Sequence, residues 1–238
     1  MNYKTKMRIT HILYSGTGGV FKVVDSIIKD KKKIHSVISV GPKLSENFLI
    51  TKKKLKKNYF FVKTKKHFSV LFFINIFFNL LKFKPQIIVL HNYQILPCIL
   101  SKLFLNNKII YVDHTPEKLK SNKDRFLCRF FHLLIDSFVV LNDTNYTILS
   151  KDYKIDKSKI IKIPNGINLF KSHKSKKNNI INIGMAGRLN STKHFDILIK
   201  SVQSLLDKNI KIRCILAGDG EEKQELKKLI LNKYKKNF

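Results

Sequence analysis

Arg188 and Lys193 lie between a short apolar segment, 181–186, and a helix with apolar residues at helical spacing. Gly187 gives the backbone freedom at this junction, so the pattern predicts a strand, a turn and a helix. Open α/β sheets bind ligands at the carboxyl ends of their strands, and helix N-termini attract anions. We therefore expect Arg188 and Lys193 to bind an anionic group. The alternative is a solvated role, which is common for basic residues in a chain this rich in lysine.

Two histidines follow predicted strands. His91 comes directly after the strand 87–90, and His114 comes shortly after the strand 108–112. Both are expected at the carboxyl edge of the sheet, where they could line one cleft; the alternative is an ordinary loop histidine. Asp113 precedes His114, but adjacent residues of an extended segment point in opposite directions. We therefore do not expect Asp113 and His114 to form a general-base pair.

Glycines mark two further turns between a strand and a helix. Gly18 and Gly19 follow the first predicted strand, and Gly218 and Gly220 follow a later one. Glycine lets a backbone approach a phosphate or sugar closely, and amides at a helix N-terminus can bind it. A tight turn with no ligand is the alternative for both pairs.

The elements that must position these residues alternate along the chain. Strands are predicted at 7–13, 34–40, 59–62, 87–90, 108–112, 138–141, 160–163, 180–186 and 210–216, with helices between most of them. Such alternation is typical of a parallel, doubly wound α/β sheet. The polar stretch 171–179 has no apolar period and is predicted to link a domain at 1–170 to one at 180–238.

The formal net charge of +31 over 238 residues comes almost entirely from lysine, accompanied by many asparagines and isoleucines. Codon bias in an AT-rich genome best explains the abundance of these three residue types. The alternative is that the lysines attract the protein to an anionic membrane surface. The basic residues form no patch interleaved with aromatic side chains, so nucleic acid is not an expected partner.

Three distant cysteines, Cys98, Cys128 and Cys214, predict neither a disulfide framework nor a metal site, and a reducing cytoplasm fits them. The N-terminal apolar run is too short and too polar for a signal peptide, because Thr10 and His11 interrupt it. The uncharged run 68–81 is too short to span a membrane. It either packs on the sheet as a helix or inserts into a lipid interface beside flanking lysines.

Five motifs along the chain together resemble the family 4 glycosyltransferases. They are Gly18-Gly19, Asp113-His114-Thr115, the segment 163–168, Gly187-Arg188-Leu189 with Lys193, and Ala217-Gly218-Asp219-Gly220. Each motif is weak by itself, but their order and spacing are those of the family. The resemblance implies a retaining, nucleotide-sugar-dependent enzyme with the GT-B fold, which has two facing Rossmann-like domains.

The resemblance also implies a role for the cations and glycines of the second domain. Arg188 and Lys193, with Gly218 and Gly220, would bind the diphosphate of the donor. In such enzymes the departing phosphate is commonly described as taking the proton of the acceptor, so no protein base is required. No metal and no cofactor are expected, since the nucleotide-sugar is a substrate.

In the first domain, the resemblance places His114 beside the transferred sugar as a catalytic residue, with Thr115 assisting. Gly18 and Gly19 would form a loop that contacts acceptor or donor phosphate, and His91 would line the cleft. A glycan or polyprenyl-linked acceptor is implied, as in the assembly of a bacterial surface polysaccharide. The expected location is the cytoplasm, with peripheral contact to the inner face of an anionic plasma membrane.

The family's second domain continues well beyond the Ala217-Gly218-Asp219-Gly220 turn, through further strands and an E-x7-E element that holds the donor. The sequence ends at Phe238, so we expect a truncated chain with an incomplete C-terminal domain and impaired donor binding. The alternative function is an acceptor- or membrane-binding half that works only with a separately encoded partner. Neither the donor sugar nor the oligomeric state follows from the sequence.

Overall fold

The computed structural model describes residues 6–14, 19–42, 49, 51, 53, 55–64, 70–91, 95–117, 120–166 and 179–238. The chain divides into two compact units, Met1–Asn168 and Leu169–Phe238. The domain limits expected from the sequence stay a prediction, because most of the predicted linker lies outside the described residues.

Seven parallel strands form the sheet of the first unit, counted over its described residues. They are β1 (Arg8–Tyr14), β2 (Ile34–Gly41), β3 (Tyr59–Lys63), β4 (Ile87–Leu90), β5 (Lys108–Asp113), β6 (Ser137–Val140) and β7 (Ile160–Lys162). Their order in the sheet is β3-β2-β1-β4-β5-β6-β7. The order reverses between β1 and β4, and such a switch point is where doubly wound sheets bind ligands. The predicted parallel α/β architecture is confirmed.

Helices connect these strands. In the described part of the first unit they are α1 (Gly19–Ile27), α2 (Val70–Phe83), α3 (Ile95–Leu105), α4 (Asn122–Phe131) and α5 (Asp143–Thr147). Helix α4 begins with a capping box, in which the Ser121 hydroxyl accepts from the Asp124 backbone and the Asp124 carboxylate accepts from the Ser121 backbone. Helix α5 runs into a π-helical turn, Ile148–Asp152.

The aromatic helix α2 packs on the core of the first unit by one face. Phe72, Ile76 and Leu80 recur every four residues along it, and all three are buried in the main apolar cluster with strand residues such as Ile12 and Leu90. Its other side exposes large apolar residues, among them Leu71 and Phe78. No described helix is both long enough and apolar enough to cross a membrane.

The connection between β2 and β3 is helical at its described residues Leu49, Thr51, Lys53 and Leu55, of which Thr51 is buried and Lys53 is exposed. Strand β5 extends one residue beyond its predicted limit at 112. Asp113 is its last residue and is buried. A carboxylate can end a buried strand here because Lys120 neutralises it.

The second unit is a smaller parallel α/β arrangement. It contains β8 (Ile181–Ala186), α6 (Phe195–Asp207), β9 (Ile212–Ala217) and α7 (Lys223–Leu229), and β8 pairs with β9. Buried apolar residues of α6 and β9 pack together on one face of the sheet. Ile181 and Ile215, by contrast, are 55% and 52% exposed. The two strands therefore have apolar surface that the described helices leave uncovered.

Candidate active site

His91 and His114 are brought together at the carboxyl edge of the first sheet. β4 and β5 are parallel neighbours, and each histidine directly follows its strand. Nδ1 of His91 lies 3.0 Å from Nε2 of His114, and the two rings are stacked with centroids 5.2 Å apart. Thr115 follows His114 and is half-buried. The structure thus places the two predicted histidines in one cluster at the carboxyl ends of their strands.

Two further histidines join this cluster, and neither was predicted as a site residue. Nδ1 of His11, in β1, lies 3.2 Å from Nε2 of His91, and Nε2 of His11 lies 3.2 Å from Nδ1 of His35, in β2. Both side chains are buried. The available signal was a histidine inside each of two predicted buried strands, because a buried polar side chain requires a partner.

Burial keeps these imidazoles neutral. It lowers the pKa of His11 to about 3, with a further contribution from His35. Burial, together with His11 and His114, holds the pKa of His91 well below its usual value, and burial also lowers the pKa of His114. A neutral imidazole carries one N–H donor and one acceptor nitrogen. At neutral pH the cluster therefore acts through hydrogen bonds and not through positive charge.

Asp113 pairs with Lys120, whereas its neighbour His114 pairs with His91. Its carboxylate accepts a hydrogen bond of 2.8 Å from the ammonium of Lys120, and both side chains are only 1% exposed. Lys120 also lies 3.0 Å from Glu117, whose other oxygen accepts from the Tyr153 hydroxyl at 2.7 Å. This buried network ties the segment after β5 to the body of the unit and so supports the position of His114.

The electrostatics of this network follow from burial and pairing. Burial raises the pKa of Asp113 more than Lys120 lowers it. For Lys120, burial favours the neutral amine, but Asp113 and Glu117 outweigh that effect and raise its pKa. Lys120 is therefore a cation held inside the protein by two carboxylates.

The predicted glycine loop of the first unit is described in part. Gly18 lies outside the described residues. Gly19 is the first residue of α1, and a Cβ added there would meet nothing within 4 Å. The space beside this helix N-terminus is open, so the predicted contact with a phosphate or sugar remains a prediction.

Arg188 and Lys193 lie in the connection between β8 and α6, as predicted. β8 ends at Ala186, Lys193 closes a 3-10 turn, and both basic side chains are exposed. The aliphatic stem of Lys193 lies beside Gly187, since its Cγ would be 3.9 Å from a Cβ at that glycine. The connection therefore presents two cations next to the carboxyl end of β8.

Gly218 and Gly220 fix this connection from the neighbouring loop. A Cβ on Gly218 would overlap the carbonyl oxygen of Gly187, and one on Gly220 would overlap the backbone of Leu189. The Leu189 backbone also donates to Asp219 at 3.0 Å and accepts from Glu222 at 3.1 Å. Both glycines thus have a packing role inside the unit, and their predicted contact with a diphosphate stays a prediction.

A cleft of about 530 Å³ opens beside this contact in the second unit. Its walls are apolar with three lysines, formed by Leu189, Leu216, Gly218, Lys223, Leu226, Lys227, Ile230, Lys235 and Phe238. Within the described ranges, no group of three or more histidine, cysteine or acidic side chains could hold a metal ion.

Solved structures share this architecture at low sequence identity. A glycosyltransferase from Rickettsia africae ESF-5 is 19% identical with a TM-score of 0.67, over 94% of this chain and 65% of that one. Anabaena HepE, in complex with UDP and glucose, is 15% identical with a TM-score of 0.73, over 94% and 64%. A mutant of S. aureus TarM, in complex with Fondaparinux, alpha-GlcNAc-glycerol and UDP, is 11% identical with a TM-score of 0.70, over 97% and 76%.

The chain spans less than two thirds of the length of the first two of these structures. No curated protein sequence matches it. Two family models do. "Glycosyl transferases group 1" matches residues 167–237, and "Glycosyltransferase Family 4" matches residues 17–170, well over half of the chain. With its parallel α/β architecture and its GT-B structural neighbours, this chain belongs to glycosyltransferase family 4.

Proposed function

We propose that the protein transfers a sugar from a nucleotide-sugar donor to a glycan or lipid-linked acceptor in the assembly of a surface polysaccharide. The observation that carries the proposal is the connection after β8, in which Arg188 and Lys193 are presented by a loop that Gly218 and Gly220 hold in place. Neighbours of the same fold were solved with UDP bound. We also propose that the protein is cytoplasmic and contacts the inner face of the plasma membrane peripherally.

Sugar transfer requires stabilisation of a leaving nucleoside diphosphate. The bond from the anomeric carbon to the diphosphate oxygen breaks, its electron pair leaves with the diphosphate, and the acceptor oxygen bonds the anomeric carbon. The acceptor proton passes to the departing phosphate, so no protein base and no metal ion is required. Arg188 and Lys193 would stabilise the charge on the phosphate oxygens, and a neutral His114 would hydrogen-bond a sugar hydroxyl.

Removing the Arg188 guanidinium should weaken donor binding. We expect a thermal-shift screen of UDP-, GDP- and ADP-sugars to find one class that stabilises the wild-type chain, by about 2.7 kcal/mol when the ligand is at 100 times its Kd. Arg188→Ala should raise that Kd by about ten- to a hundredfold, because a charge-assisted contact is lost.

Arg213→Ala is the matched control, since Arg213 is an exposed arginine of β9 in the same unit. It should leave the Kd unchanged. Equal loss of binding in both variants, or no stabilisation of the wild-type chain by any nucleotide-sugar, would contradict the proposed donor site.

A second candidate function, an acceptor- or membrane-binding half that acts with a separately encoded partner, is favoured by the α2–α3 apolar surface. This surface consists of exposed large side chains on two helices that touch through Phe77 and Phe104, whose rings are 5.6 Å apart. Its members are Val70, Leu71, Ile74, Phe78, Leu100, Leu103 and Phe104. Lys82, in the last turn of α2, supplies positive charge near it.

A membrane role for this surface predicts binding to anionic vesicles that weakens with salt, because ions screen the lysine contribution. Replacing both Phe78 and Leu103 with Asn should abolish flotation with vesicles that contain phosphatidylserine, since burial of each apolar side chain stabilises binding by about 1.5–3 kcal/mol. Ile197→Asn, at an exposed residue of α6, is the control and should still float. Equal binding to neutral and anionic vesicles would exclude the charge contribution.

A further inference from the structure

Four imidazoles form a continuous hydrogen-bonded series across the first sheet, which we term the histidine relay: His35, His11, His91 and His114. Each link joins Nδ1 of one ring to Nε2 of the next, with lengths of 3.2, 3.2 and 3.0 Å from His35 to His114. Consecutive rings are stacked, with centroids 5.2–5.5 Å apart. The relay crosses the switch point between β1 and β4.

The three hydrogen bonds of the relay must all point the same way along the series, from donor to acceptor. Each neutral ring has one N–H, so an imidazole that donates through Nε2 must accept through Nδ1. If His114 donates to His91, then His91 donates to His11 and His11 donates to His35. The reverse direction places every proton on Nδ1. The tautomer of one ring therefore fixes the tautomer of the other three, and each bond polarises the next.

The inner end favours one of these directions. Among the described residues, Nε2 of His35 has no hydrogen-bond partner, and Nδ1 is the nitrogen that faces His11. Burial and the Lys33 ammonium lower the pKa of His35, whereas the carboxylate and backbone of Asp30 raise it. The net effect lowers the pKa, so the ring is neutral. A proton on Nδ1 is donated to His11 and leaves only an acceptor nitrogen unpaired, whereas a proton on Nε2 would be a buried donor without a partner, so the Nδ1–H form is favoured.

We propose that His35, His11 and His91 are positioning residues that hold His114 as the Nδ1–H tautomer, with Nε2 accepting from His91. Together with the proposed function, on which this step rests, the Nδ1–H donor selects a sugar hydroxyl whose oxygen accepts from His114. The proton of that hydroxyl is then directed away from the ring. The relay thus sets the orientation of a substrate hydroxyl from a strand three positions away in the sheet.

Long-range ¹H–¹⁵N correlation spectra of the full chain, labelled with ¹⁵N-histidine, test the tautomers directly. All four relay histidines should carry their proton on Nδ1. His132 is an internal reference for this tautomer, because its Nδ1 lies 2.6 Å from the carbonyl oxygen of Arg129 and must donate. A proton on Nε2 in any relay histidine would overturn the assignment.

His11→Phe removes the central link while it keeps an aromatic ring in the core. His114 should then change from a single tautomer to a mixture of both, although it does not touch residue 11. Tyr59→Phe is the matched control, since Tyr59 is a buried polar residue of the same sheet, hydrogen-bonded to Ser39 outside the relay. An unchanged His114 tautomer in His11→Phe would reduce His11 to a packing role.

These spectra need neither donor nor activity, so the relay and the proposed function can fail separately. Correct tautomers without donor binding would leave the relay intact and contradict the transferase site. Donor binding with histidine tautomers that vary independently would support the transferase site and contradict the relay. If His11→Phe does not fold, the wild-type tautomers still decide the direction of the relay.

Discussion

Lys120→Met is expected to lower the free energy of unfolding by about 3–5 kcal/mol, because it leaves the buried carboxylate of Asp113 without its cation. Both side chains are 1% exposed at an N–O distance of 2.8 Å. Methionine fills a similar volume, so the loss reports charge and not a cavity. Against a total stability of about 5–15 kcal/mol for a domain, this is the largest single-residue effect that we expect. Urea unfolding at neutral pH measures it.

The pH dependence separates this cause from simple mispacking. Without Lys120 the pKa of Asp113 should rise further, so the folded variant takes up a proton that the unfolded chain does not bind. The difference from wild type should therefore shrink as the pH falls through the raised pKa of Asp113. A loss of stability that is independent of pH would contradict the ion-pair account.

Lys162→Met provides the comparison. Lys162 and Asp143 form a contact of 2.6 Å, even shorter than that of the buried pair, but their side chains are 48% and 83% exposed. Exposed pairs contribute about 0–1 kcal/mol, so this variant should unfold close to wild type. Similar losses in the two variants would show that burial does not decide the strength of these pairs.

Gly218→Ala should destabilise the second unit by about 3 kcal/mol, the upper end of the usual cost of overpacking. The added Cβ would overlap the carbonyl oxygen of Gly187. That atom belongs to the backbone and cannot move aside as a flexible side chain could. Hydrogen exchange should show faster opening of amides in β8, β9 and α6, with no change in the first unit.

Gly184→Ala is the matched control in the same sheet. Its Cβ would lie 3.9 Å from the carbonyl oxygen of Ile215, an ordinary contact, and alanine is favoured over glycine inside a strand by about 0.5–1 kcal/mol. It should be neutral or slightly stabilising. Equal exchange rates in the two variants would contradict close packing of the loops that carry Arg188 and Gly218.

The strands were the most predictable part of the molecule. Ile87–Leu90 was predicted with its observed limits, because a continuous β-branched run between Pro85 and a polar residue is typical of a buried parallel strand. Helix ends were less predictable. Helix α4 ends at Phe131 and continues as a 3-10 turn, His132–Leu134, a boundary that the apolar pattern does not mark. Ends depend on local hydrogen bonds that hydrophobic periodicity does not encode.

The site was predictable only where sequence position implies spatial position. His91 and His114 were identified because both follow strands. His11 and His35 were missed because their contact depends on the relative register of β1 and β2, where Ile9 and not His11 lies opposite His35. The Asp113 and Lys120 pair was missed for a similar reason, since the chain must return toward β5 before the two side chains can meet.

The uncovered strands of the second unit affect how the protein behaves in concentrated solution. Within the described residues, β8 and β9 pair only with each other, and Ile181 and Ile215 are exposed. Open strand edges beside apolar side chains are templates for association between copies. A net charge of +31 keeps copies apart at low ionic strength. Salt shortens the range of that repulsion. High-salt buffers reduce non-specific electrostatic contacts during purification, but they should also promote association between copies of this protein.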